Sequence, residues 1–179
     1  KAAREMKERI GKLVGQELAQ HLYMGTFHSI FSRILRAEAQ HIGFTNNFTI
    51  YDESDSRSLI KTIVKELGLD EKVYKPASVH SRISMAKNNL MSAENYARDK
   101  ELYQADQRAK MPRVGDIFIT YVQRCQQANA MDFDDLLTLT FKLFQEHEDI
   151  RRKYADGFDF LLVDEHQATN HARMRAVAP

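Results

Sequence analysis

The sequence predicts a mainly α chain that carries a small, incomplete parallel sheet. Apolar residues recur at i, i+3, i+4 spacing in about seven segments, against two or three short strand-like runs. The run Phe160-Leu161-Leu162-Val163 shows no polar alternation, the pattern of a strand covered by helices on both faces. With 179 residues the chain is long enough for one domain, or for one domain and part of another. Lys and Arg total 26 against 25 Asp and Glu, so the net charge of +1 creates no global field for nucleic acid or an anionic membrane. Polyanion binding must therefore come from local patches. The single cysteine, Cys125, excludes an internal disulfide framework and a cysteine-rich metal centre. Without a leader-like segment or a long apolar run, the chain reads as soluble and cytoplasmic, with no membrane partner. It opens on Lys1 rather than Met, which points to a piece of a longer polypeptide.

Taken in order, Ala3, Met6, Ile10 and Leu13 form one face of an amphipathic helix, and "HLYMGTF" has the look of a short strand. Thr26 is placed to cap a helix whose stripe is Phe27, Ile30, Phe31, Ile34 and Leu35, ending near Gly43. An extended "FTIY" follows. Ser54 or Asp55 then caps a helix striped by Leu59, Ile60, Ile63, Val64 and Leu67 and closed by Gly68. Pro76 opens another helix, carrying Val79, Ile83 and Ala86. Residues 92–113 are rich in charge and poor in large apolar side chains, which predicts a mobile connector with a frayed helix inside it. Val114, Ile117, Phe118, Tyr121, Val122 and Cys125 share the next helical face, which makes Cys125 a packed thiol. In "AMDFDDLLTLTFKLF", Phe133, Leu136, Leu137, Thr140, Phe141 and Phe144 face a core, with Asp132 as cap and Asp134 and Asp135 in the first turn, where the helix dipole favours negative charge. A short helix through Ile150 and Tyr154 leads to Gly157 and the final strand.

That strand ends in two adjacent carboxylates, Asp164 and Glu165. In parallel sheets ligands sit beyond the carboxyl ends of the strands. Nucleotide hydrolysis needs a carboxylate to hold the Mg²⁺ that neutralises phosphate charge, and a second group to orient or deprotonate the attacking water. Neighbouring residues of an extended backbone point to opposite sides, so one carboxylate could serve each task. A helix cap or a solvated turn accounts for the same two residues.

Four stretches, "KAAREMKERI", "GTFHSIFSRILR", "MDFDDLL" and "FLLVDEHQATN", with "NFTIYDESDSRSLIKTIVKELGLDEKVYKP" between them, resemble the UvrD/PcrA/Rep type of superfamily 1 ATP-dependent DNA helicases over nearly the whole chain. The resemblance implies a RecA-like P-loop α/β domain in two discontinuous pieces, residues 1–43 and 131–179, flanking a helical insertion subdomain over residues 44–130. It also implies ATP and Mg²⁺ as cofactors, single-stranded and duplex DNA as partners, and a role in replication or repair. Asp164 matches the Mg²⁺-binding aspartate and Glu165 the water-activating glutamate. Gln167, Thr169 and Asn170 fall where the motif links the nucleotide to the DNA track, with Gln167 as a nucleotide contact. Thr26 and His28 match a DNA-contacting motif, while a helix cap and a surface helix residue are their simpler readings. In "SRISMAKNNL", Arg82 and Lys87, with Asn88 and Asn89, are candidate phosphate contacts or else an ordinary solvated face.

Two positions depart from the family pattern, with His166 in place of an aromatic residue and Ala168 in place of an aspartate, and "HARMRAVAP" loses the expected apolar helix pattern. No G-x-x-x-x-G-K-S/T run occurs to cradle phosphates, and the second motor domain is missing from these residues, so the chain alone is expected not to turn over ATP. Two other identities fit the same residues: a noncatalytic DNA- or protein-binding module with a decayed motif, and part of a helicase-nuclease.

Overall fold

The fold is given by a computed structural model, which describes residues 2–15, 17 and 25–157. Helix α1 spans Ala2–Val14. Helix α2, Phe27–Ala37, starts where the Thr26 hydroxyl accepts from the Ser29 amide, and it buries Phe31, Ile34 and Leu35 as its stripe predicts. A 3₁₀ turn over Ala39–Ile42 closes at Gly43. Strand β1, Thr49–Tyr51, runs into helix α3, Glu53–Glu66. The cap of α3 is Asp52, just before the Ser54 or Asp55 expected. Asp52 and Asp55 form a reciprocal capping box, in which each carboxylate accepts from the other's amide. Gly68 takes φ 66°, the left-handed conformation that ends a helix and that a Cβ would strain.

Helix α4, Pro76–Asn88, opens on its proline and buries Val79, Ile83 and Ala86. Residues 92–113 are not the mobile connector expected. They form helices α5, Ala93–Arg98, and α6, Lys100–Arg108, capped by Ser92 and Asp99. The segment's few apolar residues are well placed, because Ala93, Tyr96 and Met111 are all buried. Its polar Asp106, 2% exposed, accepts from the Arg82 guanidinium at 2.6 Å and the Tyr96 hydroxyl at 2.9 Å. Helix α5 also lies close against α7, Val114–Gln127, where a Cβ on Gly115 would stand 3.0 Å from the Ala97 Cα. Composition alone misses such satisfied, well-packed contacts.

Strand β2, Ala130–Asp132, pairs in parallel with β1 in the register Thr49↔Ala130, Ile50↔Met131, Tyr51↔Asp132. Parallel strands require a long crossover. Here the crossover is the whole α3–α7 unit. Helix α8, Phe133–Glu146, follows β2 directly, and α9, Glu148–Ala155, packs against it.

The buried side chains fall into two clusters. One joins α3, α4, α5 and α7 through Ile60, Ile63, Ile83, Tyr96, Phe118 and Tyr121. The other joins α2, β2, α8 and α9 through Phe31, Leu35, Met131, Leu136, Leu137 and Ile150. Each fully buried aliphatic or aromatic side chain contributes about 1.5–3 kcal/mol. No helix among the described residues is long and apolar enough to cross a membrane.

Candidate functional site

The N-termini of α2 and α8 meet at one edge of the second cluster. The His28 ring stands edge-on to Phe133, with centroids 5.6 Å apart and planes at 85°. Phe133 corrects the sequence expectation, because it is 47% exposed rather than part of the core face. Leu143, fully buried, completes the stripe of α8 instead. Phe133 is the first helical residue of α8, and its ring lies on the surface beside His28. Thr26 is engaged as the cap of α2. Next to the edge, the Asn88 amide donates to Asp134 at 3.2 Å, and Asn88 also lines an open groove of about 500 Å³ with Glu53, Arg57, His80 and Ser84.

Behind this edge lies a buried ionic cluster. The Lys87 ammonium, its side chain 6% exposed, donates to Asp132 and to Asp135, both at 2.7 Å. The Tyr121 hydroxyl donates to the same Asp132 oxygen at 2.8 Å. Asp132 and Asp135 also form the capping box of α8, so each carboxylate serves a helix start and a cation at once. Burial by itself pulls the Lys87 pKa down, but the two carboxylates more than offset this and hold it above that of free lysine. Burial likewise opposes charge on Asp132, and Lys87 outweighs it, so that pKa is lowered. Asp135 is pushed up to about 6 by burial and by the neighbouring Asp132 charge.

Lys87 is therefore not the phosphate contact or solvated residue expected from sequence, whereas Arg82 keeps a quarter of its side chain exposed while it pairs with Asp106. Lys87 is spent on Asp132 and Asp135, and Arg82 holds the buried Asp106. Helical spacing predicted their shared element but not the acids facing them, because Asp106 is 24 residues and Asp132 45 residues further along the chain.

A family model described as the UvrD/REP helicase N-terminal domain matches residues 1–178. The chain belongs to the UvrD/REP helicase family. It is 38% identical over 177 residues to the ATP-dependent DNA helicase PcrA of Leuconostoc citreum, covering 99% of this chain and 23% of that protein. It is 41% identical over 174 residues to the ATP-dependent DNA helicase UvrD1 of Mycobacterium leprae, covering 97% of this chain and 22% of that protein. PcrA of Staphylococcus aureus matches at 38% over 177 residues, with 99% and 23% covered. This UvrD/REP chain thus spans less than a quarter of the length of these curated relatives.

Asp164, Glu165 and Gln167, the nucleotide-site residues that the UvrD/REP resemblance implies, lie outside the described residues. Among the described residues no group of three or more His, Cys, Asp or Glu side chains is placed to hold a metal ion. The buried acidic pair, Asp132 and Asp135, is already neutralised in part by Lys87.

The raised pKa of Asp135 has a consequence for stability. Between its ordinary value of 3.8 and about 6, the native chain holds a proton that the unfolded chain has released. Stability from this group is therefore full below 3.8 and falls as pH rises through about 6. Asp135→Asn is expected to flatten that part of the stability profile, measured by urea unfolding at several pH values. An unchanged slope in the variant would remove Asp135 as its source.

Proposed function

We propose that this chain is the N-terminal motor portion of an ATP-dependent DNA helicase, which couples ATP hydrolysis to movement along single-stranded DNA and to duplex separation in replication or repair. Residues 44–130 form its helical insertion, and residues 1–43 and 131–179 belong to a RecA-like P-loop domain. Membership of the UvrD/REP family supports this reading, and so do relatives named as ATP-dependent DNA helicases. The two hydrophobic clusters, joined at a parallel strand pair, are consistent with the division into insertion and motor pieces.

In the complete enzyme Asp164 would hold Mg²⁺, Glu165 would orient or deprotonate the attacking water, and Gln167 would contact the nucleotide. Bound Mg²⁺ supplies charge neutralisation on the phosphates. The 179 residues themselves contain no phosphate-cradling loop, so ATP turnover is assigned to the complete protein and not to this stretch alone. His166 and Ala168 favour a second reading, a noncatalytic binding module with a decayed motif; vigorous DNA-stimulated ATP turnover by the complete protein would exclude it.

The observation that carries the DNA contact is the surface pair of His28 and Phe133 at the meeting point of two helix N-termini. An exposed aromatic face stacks on bases of any sequence. Phe133→Ala in the complete protein is expected to weaken binding of oligo-dT roughly tenfold, measured by fluorescence anisotropy. Wild-type binding is expected to weaken steeply with added salt. Unchanged affinity in the variant, or a salt-independent signal, would remove this edge as the DNA contact.

A further inference from the structure

The residues on either side of Phe133 are held from the α3–α7 unit. Asp132, just before it, accepts from Lys87 of α4 and Tyr121 of α7 at 2.7 and 2.8 Å. Asp134, just after it, accepts from Asn88 of α4 at 3.2 Å, and Asp135 accepts from Lys87 at 2.7 Å. Phe133 itself has no seat in the core, so its ring is aimed by the backbone at the start of α8, which its capping box defines.

The lysine is not needed for that helix to start. Asp52 and Asp55 form the same capping box on α3 with both residues exposed and no buried cation. Burying an ammonium against Asp132 and Asp135 carries a desolvation cost that the α3 box does without. What the lysine adds is attachment, since it ties one turn of α8 to a helix of the other hydrophobic cluster.

We propose that Lys87, assisted by Tyr121 and Asn88, is a positioning residue that sets where Phe133 presents its ring to a nucleic-acid base, so that the α3–α7 unit acts on the DNA-contacting edge through this cluster. This rests on the reading of the His28–Phe133 edge as a single-strand contact. A shift of α4 relative to β2 would move the start of α8, and with it the stacking face. The groove beside Asn88 borders the same attachment point.

The test compares oligo-dT with an abasic oligonucleotide of equal length, bound to the complete protein and its variants. Phe133→Ala is expected to lose roughly tenfold on oligo-dT and under about twofold on the abasic strand. Lys87→Met and Tyr121→Phe are expected to lose about three- to tenfold on oligo-dT, little on the abasic strand, and nothing further when Phe133 is already Ala. Tyr121→Phe keeps the buried ring and removes one hydrogen bond, so it tests the proposal even where Lys87→Met folds poorly. Equal losses on both strands, losses that add to that of Phe133→Ala, or no loss in Tyr121→Phe and Lys87→Met while Phe133→Ala is impaired would each overturn the positioning role. A silent Phe133→Ala would instead overturn the edge as a base contact, and the positioning role with it.

Discussion

Lys87→Met is expected to destabilise the fold by about 3–5 kcal/mol, because removing one partner of a buried ion cluster leaves the other charges without compensation. The stranded groups are Asp132, 4% exposed, and Asp135 beside it. Methionine fills a similar volume, so little of the loss comes from a cavity. The defect is expected to shrink as pH falls, since without the ammonium both carboxylates protonate more readily and a neutral pair is tolerated in the interior. Urea unfolding of wild type and variant at neutral and acidic pH checks both points. A loss under about 1 kcal/mol, or one independent of pH, would contradict the cluster's energetic role. Tyr121→Phe, which removes only the 2.8 Å hydrogen bond to the charged Asp132, should cost about 1.5–3 kcal/mol.

Glu165→Gln in the complete protein is expected to lower ATP turnover about 100-fold or more, with DNA affinity retained. The amide keeps the size of the side chain and can still orient water, but it cannot accept the proton. Asp164→Asn should instead raise the Mg²⁺ concentration required for half-maximal turnover, because a neutral amide is a poorer ligand for a hard cation. Steady-state turnover across Mg²⁺ concentrations separates the two effects. Turnover by Glu165→Gln within a few fold of wild type would withdraw the role assigned to that glutamate.

Most of the helices were legible from sequence because the information is local. A stripe such as Phe27, Ile30, Phe31, Ile34 and Leu35 states which side of a helix turns inward, and the structure buries three of these residues fully. Thr26, Asp132, Pro76 and Gly68 acted as start and stop signals through hydrogen bonds or backbone angles confined to one turn. The family, too, was readable from short motifs in order. Local rules failed at 92–113, where sparse apolar residues and one paired aspartate suffice to order α5 and α6. They failed again at Phe133, whose spacing matched the stripe but which the fold leaves 47% exposed.

Periodicity, caps and short motifs were enough to say which segments become helices, where most of them begin and end, and to which helicase family the chain belongs. That Lys87 is a buried structural cation and that Phe133 lies outward beside His28 follows from contacts between distant segments. The difference is one of range. Helix periodicity and capping act over three or four residues, whereas the charge state and exposure of a side chain depend on what the fold brings against it. Asp132 is 45 residues beyond Lys87, and the packing of α4 against α8 brings them 2.7 Å apart.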